Sequence, residues 1–419
     1  MPIFQKIFGK NTSIWKLRLL MFLSVVGPGI ITGTADNDAG GITTYSVVGA
    51  HFGYKMLWIL IVITFMLYVT QEMGARLGIV TGQGLGDLIR ERLGIRQAFY
   101  LICLVFIVNF SNVLADFAGV ASVADIYHIS RFIFVPIFSI LIWYLIVKGN
   151  FNIVQNVFLT SCVLFFAYII NGFIAKPDLH EMIRGTVIPT IEMNKEYMFT
   201  AAALIGTTLT VWGQFFVQSY FVDKGVPKKH LRSAKLDVLF GAIWTDVGSY
   251  FMIISAAATL FVHNIRINDA ADAALALGPL LGDFSKHLFA WGLLNASLLG
   301  IGVISLATAY AVAEVIGMER RINAGFKDAP LFYSIVGFCI FVCTLLVLIP
   351  RLPMVFILTA SQALNTVLLP LIFFVILKMI NDKKLMGVHV NSPLQNIISW
   401  VTIVSFTAVS FMMLYLNFF

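Results

Sequence analysis

The sequence predicts an all-α membrane protein with eleven spanning helices, arranged as two blocks of five plus one. Three observations carry this. Of 419 residues, 59% are hydrophobic and 12% charged, and the mean hydropathy is +0.91, a balance that water-soluble domains do not show. Scanned with a window of about 20 apolar residues, the chain has apolar stretches at 19–50, 55–77, 98–126, 131–148, 151–175, 198–222, 236–262, 284–317, 330–350, 353–380 and 394–418. The connections are short, the longest being 78–97, 176–197 and 263–283. No water-soluble domain fits between spans, so 1–419 is expected to be one transmembrane domain, with 1–18 as a cytoplasmic N-terminal segment.

Charge sets the orientation. With an N-in arrangement, twenty Lys and Arg fall on one side, including the run Lys224, Lys228, Lys229, Arg232 and Lys235, and eight on the other. That bias places the N-terminus in the cytoplasm, and an odd span count puts the C-terminus outside. The formal charge of +7 is accounted for by these loops and does not imply nucleic acid. The first apolar stretch is followed by more helix rather than a small-residue cleavage site, so no cleavable signal is expected. The cysteines, Cys103, Cys162, Cys339 and Cys343, lie inside apolar stretches and read as small core residues, not as a disulfide framework or thiolate site.

Two spans are interrupted. The first carries Gly33-Thr-Ala-Asp36-Asn37-Asp38-Ala-Gly40-Gly41 within the apolar stretch from Leu19 to Ala50. Its glycines are read as letting the helix unwind, which at membrane depth is tolerated only where the backbone lines a cavity. The sixth carries Gly206-Thr-Thr-Leu-Thr-Val-Trp-Gly213-Gln214. Spans one and six open the two blocks of five, and matched interruptions are the sequence mark of inverted repeats with a site at mid-membrane. Span eleven stands outside the repeat.

An ionised side chain at mid-bilayer costs roughly 2.5–3.5 kcal/mol. Asp36, Asp38 and Asp246 together would cost roughly 8–10 kcal/mol if ionised and unpaired, and no Lys or Arg lies mid-span to pair with them. Either some are protonated or a cation arrives from solution. One of the pair Asp36 and Asp38 could alternatively cap the half-helix that begins near Gly40. Oxygen donors nearby in sequence logic are Thr207, Thr208, Thr210 and Gln214 of span six. Gln362 and Asn365 of span ten share a helix face, and could equally serve as interhelical hydrogen-bond partners. Asp116 and Asp246 are weaker candidates. Neither break holds a thiolate, thioether or imidazole, and hard oxygen donors favour Mg²⁺, Mn²⁺ or Ca²⁺. Mg²⁺ keeps several waters, so a tight all-protein cage is not needed.

These residues resemble the natural resistance-associated macrophage protein (NRAMP) family of divalent metal transporters. The likeness runs through Gly27-Pro28-Gly29, Gly49-Ala50 with Phe52-Gly53-Tyr54, Ala75-Arg76-Leu77-Gly78-Ile79-Val80-Thr81-Gly82 and Lys384-Leu385-Met386-Gly387. It implies a LeuT-like fold with inverted repeats of helices 1–5 and 6–10, broken helices 1 and 6, and a metal site between them. The family's helix-one motif Asp-Pro-Gly-Asn falls on Asp38-Ala39-Gly40-Gly41, so the ligand Asp is kept and the ligand Asn becomes Gly41. The helix-six Met-Pro-His motif falls on Thr210-Val211-Trp212 or, counted back from Ser219, on Val211-Trp212-Gly213. A helix-three Glu falls on Gly119, the second helix-six His on Gln218, and span nine lacks Arg.

This pattern resembles the prokaryotic NRAMP-related magnesium transporters. The resemblance implies a non-enzymatic transporter of the prokaryotic plasma membrane, importing Mg²⁺ and also Mn²⁺ by alternating access without a coupled proton. The ion is cargo, and no resident cofactor is expected; the other partner is the lipid bilayer. The expected ligand set is Asp38 for charge, the Thr207 carbonyl, Thr210 and Gln214 from helix six, Asn37 and Asp36 widening the cavity, and Gln362 and Asn365 holding a water of the ion. Rival readings are a proton-coupled Mn²⁺/Fe²⁺ importer and an amino-acid or amine transporter on the same fold. A metal sensor would need a long output domain, and no loop or tail supplies one.

Overall fold

The computed structural model describes residues 36–148, 165–278, 282–318, 326 and 328–418. Its described residues form helices named here α1 (Ala39–Phe52), α2 (Leu57–Thr81), α3 (Leu85–Leu93), α4 (Ile95–Ile126), α5 (Arg131–Lys148), α6 (Phe165–Ile174) and α7 (Leu179–Val187). There follow α8 (Lys195–Thr208), α9 (Val211–Asp223), α10 (Leu231–Ala256), α11 (Ser285–Ile316), α12 (Pro330–Val347), α13 (Met354–Ile380) and α14 (Pro393–Phe418).

Among the described residues, nine helical stretches are long and apolar enough to cross a membrane, with α8 and α9 forming one of them. The expected spans 19–50 and 151–175 are not among the nine. Their first parts, 19–35 and 151–164, lie outside the described residues, as do Cys162 and the segment 1–18, and the helices in their described remainders are α1 and α6. The span expected at 131–148 coincides with α5.

Burial sorts the helices. The apolar window of Lys195–Asp223 is wholly buried, whereas that of Arg131–Lys148 is only 22% buried. A helix apolar all round and buried all round is a core helix. The α8/α9 pair is that core, and the exposed Phe132, Ile133, Ile137, Ile140 and Tyr144 make α5 a peripheral helix with an apolar outer face. Helix α8 lies so close to α13 that a Cβ on Gly206 would sit 1.8 Å from the Gln362 carbonyl oxygen. Only glycine permits that approach.

Polar ties mark the two ends of the bundle. At one end Lys55 pairs with Glu192 at 2.7 Å, and Arg266 and His51 both meet Glu196. At the other, Arg76 bonds Glu72 and the carbonyls of His389 and Val390, and Arg92 pairs with Asp382. Between these ends lie the start of α1, the interruption between α8 and α9, and the middle of α13.

Candidate metal site

Helix α1 begins at Ala39 because Asp38 caps it: the Asp38 Oδ1 accepts from the Gly41 amide at 2.7 Å. The capping alternative raised from the sequence is therefore realised, and by the same aspartate expected to hold the ion. A carboxylate offers about four lone-pair sites, so the cap leaves Asp38 with accepting capacity. A second carboxylate reaches the same helix end from α4, with Ala39 N donating to Asp116 Oδ1 at 3.2 Å. The positive end of the α1 dipole thus faces two acids.

Gly40 and Gly41 do not unwind the chain as expected; both lie in the first turn of α1. Their role is space. A Cβ on Gly40 would fall 2.0 Å from Gln362 Nε2. A Cβ on Gly41 would point at three oxygens: the Asp36 carbonyl at 2.9 Å, Thr207 Oγ1 at 3.1 Å and Asp38 Oδ1 at 3.5 Å. The face of Gly41 therefore looks into an oxygen-lined space between the two breaks. Gly33 lies outside the described residues.

The second break lies at Leu209 and Thr210, between α8 and α9. The Val211 amide, which in a continuous helix would bond the Thr207 carbonyl, donates instead to Asn365 Oδ1 at 3.3 Å. The Thr207 carbonyl is thereby released from the ladder, and the buried Thr207 Oγ1 has no hydrogen-bond partner. Thr210 caps α9 through the Gly213 amide at 3.2 Å and donates to Asp36 Oδ1 at 3.1 Å. Tyr45 and Thr208 join the breaks again, hydroxyl to hydroxyl at 3.1 Å.

The amides of α13 close the site from a third side. Gln362 Nε2 lies 3.2 and 3.4 Å from the two Asp38 carboxylate oxygens. Asn365 Nδ2 donates to Gln362 Oε1 at 3.1 Å and exchanges two bonds with Asn112 of α4, at 3.0 and 3.1 Å. Asn112 was not singled out from the sequence. Its spacing of four from Asp116 puts both on one face of α4, which was the available signal.

Of the expected ligands, Asp38, Thr207, Gln362 and Asn365 come together. Asp36 and Thr210 are bonded to each other beside them. Asn37 turns away: its amide donates to Thr245 Oγ1 at 2.7 Å, and its oxygen accepts from Ser249 at 2.9 Å, both on α10. Gln214 is fully buried one turn into α9, without a hydrogen-bond partner at either amide atom. Trp212 packs near Phe216, ring centroids 6.3 Å apart, as an ordinary core aromatic. Among the described residues, no cluster of three or more His, Cys, Asp or Glu that could hold a metal is formed. The donor set is one carboxylate surrounded by amides, hydroxyls and carbonyls. A cavity of about 310 Å³, lined by Thr44, His51, Thr200, Ala203 and Thr359 among others, opens at the His51 end. Thr44 is three residues beyond Gly41, about 4.5 Å along the helix.

The sequence of residues 29–416 matches the family described as "Natural resistance-associated macrophage protein-like" (Nramp). The chain belongs to the Nramp family. Among its relatives, the divalent metal cation transporter MntH of Caldanaerobacter subterraneus subsp. tengcongensis is 24% identical over 94% of this chain and 93% of its own length. MntH of Bacillus subtilis is 26% identical over 93% of this chain and 91% of its own. The crystal structure of the Eremococcus coleocola manganese transporter superposes with a TM-score of 0.76 at 17% identity, covering 96% of this chain and 87% of the other. Mhp1, a nucleobase-cation-symport-1 transporter, shares the fold more distantly, at a TM-score of 0.57 and 14% identity. The Nramp chain is accordingly a multi-pass membrane transporter of LeuT-type fold and not an enzyme.

The departures from the Nramp motifs have a structural side. A Cβ on Gly119 would sit 2.4 Å from Ser297 Oγ and 2.5 Å from the Ala39 Cβ. Gly119, where the resemblance places the family's helix-three acid, is closely packed by neighbouring helices. Gln218, at the position of the second helix-six His, donates to the Gln83 carbonyl at 3.0 Å.

Proposed function

We propose that this Nramp protein imports hard divalent ions, Mg²⁺ and Mn²⁺, into the cell by alternating access around Asp38, with the membrane potential as driving force and no coupled proton. The observation that carries the reading is the convergence of oxygens at the start of α1: the Asp36 carbonyl, Thr207 Oγ1 and Asp38 Oδ1 all lie within 3.5 Å of where a Gly41 Cβ would sit, and Thr207 Oγ1 has no hydrogen-bond partner. Mg²⁺ dehydrates reluctantly and keeps several waters, and a set of oxygen donors without sulfur favours hard cations. Asp38 supplies the charge, and the Thr207 carbonyl and hydroxyl supply oxygens. Asn365 orients Gln362, whose amide reaches the Asp38 carboxylate; Thr210, Gln214 and Asp36 extend the polar wall.

Eleven spans in two inverted five-helix repeats, N-terminus in the cytoplasm, complete the proposal; the Lys and Arg bias supports that orientation. The vestibule at the His51 end then opens outward. Energetically a proton is unnecessary. A divalent ion crossing about 100 mV gains roughly 4.6 kcal/mol, which supports about a thousandfold accumulation.

The second reading, a proton-coupled Mn²⁺ or Fe²⁺ importer, has the relatives on its side. They are named divalent metal cation transporters and a manganese transporter, closer to manganese than to magnesium. Against it stands the packed Gly119 position. For an amine or amino-acid transporter only the general fold speaks, and competition of metal uptake by amino acids would reveal one. Reconstituted Asp38→Ala protein tests the site: Mg²⁺ and Mn²⁺ influx should fall to the level of empty liposomes, and influx equal to the parent would remove Asp38 from the pathway.

A further inference from the structure

Four carboxylates lie in the layer of the breaks: Asp36, Asp38, Asp116 and Asp246, each at most 5% exposed. Among the described residues, Arg76 is the buried cationic side chain, and it is paired with Glu72 at 3.0 Å. One divalent ion at Asp38 matches half of the layer's potential negative charge. Asp38 and Asp116 are also stabilised by the amides at the start of α1. Asp36 and Asp246 have no such support on their free oxygens.

The two acids are brought near one another because their chain neighbours Asn37 and Thr245 are bonded, Asn37 Nδ2 donating to the Thr245 carbonyl at 3.2 Å and to its hydroxyl at 2.7 Å. Asp36 Oδ2 and both carboxylate oxygens of Asp246 are buried without a well-directed hydrogen-bond partner, with Thr64 of α2 beside Asp246. Gln71 of α2, 1% exposed, lies beside Asp36, and neither its amide oxygen nor its nitrogen has a well-directed partner. Buried polar atoms are normally satisfied, and a set of orphans in one place calls for an occupant. The Asn37 side chain, tied to Thr245 and Ser249, holds the break against α10 beside Asp246.

We propose that Asp36, Asp246 and Gln71 form a second cation site, adjoining that of Asp38, which takes a hard divalent ion with its remaining coordination completed by water. Two carboxylates and an amide oxygen are ligands for such an ion, and its two charges neutralise the pair. The inference rests on the metal-transport reading, and the test separates the two. Purified full-length protein is titrated with Mn²⁺ and free Mn²⁺ is read by electron paramagnetic resonance, with Mg²⁺ as competitor. The parent should bind two equivalents, Asp246→Asn one, Asp38→Asn one, and Gln71→Leu should weaken the second equivalent while sparing the first. The equivalent retained by Asp246→Asn at Asp38 reports that the variant is folded; if it is not, Gln71→Leu decides. A single equivalent in the parent, or two undiminished equivalents in both the Asp246 and Gln71 variants, overturns the second site alone. No bound Mn²⁺ in the parent overturns the metal reading itself.

Discussion

Asp38 has two tasks, holding the start of α1 through the Gly41 amide and facing the space before Gly41. Restoring the family's asparagine there tests how that space is used. Gly41→Asn pushes a side chain toward the Asp36 carbonyl, 2.9 Å from the new Cβ, and Thr207 Oγ1, at 3.1 Å. It takes room from the ion's water. Because Mg²⁺ sheds water more reluctantly than its competitors, Mg²⁺ influx is expected to fall further than Mn²⁺ influx. Parallel influx assays in proteoliposomes read the ratio, and an unchanged ratio counts against a hydrated ion at this position. Gly119→Glu has the opposite logic. With Ser297 Oγ and Ala39 Cβ within 2.5 Å of its Cβ, the acid displaces its neighbours and should lower thermal stability by about 1–3 kcal/mol or more without creating proton transport. Melting followed by size-exclusion chromatography, together with a lumenal pH reporter, checks both halves. At this scale the charged and amide residues were legible, since polar groups in apolar stretches stand out. The direction of Asn37, toward α10, was not, because one turn of irregular backbone decides it.

At the scale of elements, the breaks are kept by substitution of partners rather than by loss of bonds. Asn365 takes the Val211 amide that the Thr207 carbonyl would have accepted, and Asn112 holds Asn365 in place. Asn365→Leu should therefore leave the Val211 amide unsatisfied, at a cost of about 1–3 kcal/mol, and lower transport even though Asn365 is one residue removed from Asp38. Glycine governs the third wall. Gly206→Leu would place its Cβ against the Gln362 carbonyl, at 1.8 Å, and should prevent α8 from docking on α13; loss of a monodisperse species on chromatography is the expected result. Sequence periodicity located the long helices well, as α5 and α13 illustrate. It passed over α3 and α7, nine residues each, because a short amphipathic helix carries neither the length nor the apolarity of a span. It also assigned Gly40 and Gly41 to unwinding, whereas both are helical and serve close approach. Glycine's two uses look alike in a sequence.

The whole molecule is a bundle whose core pair, α8 and α9, is buried along its length while peripheral helices such as α5 show apolar faces outward. Hydropathy made that architecture and the membrane setting legible; the match to Nramp over residues 29–416 fixed the family. The choice of cargo and of coupling was less legible, since it depends on water around an ion and on which acids titrate. A cavity lies at the His51 end, and at the Thr81 end Gln218 bonds Gln83 and Ser219 bonds Glu314 at 2.6 Å. Under the proposed mechanism, driven by voltage alone, each ion carries two charges and no proton. The most direct measurement places fluorescent Mg²⁺ and pH reporters inside the same proteoliposomes while an ionophore clamps the potential. Mg²⁺ entry should rise as the lumen is made more negative, with lumenal pH tracking that of protein-free liposomes. Acidification that follows metal entry, or influx indifferent to potential, would contradict the account.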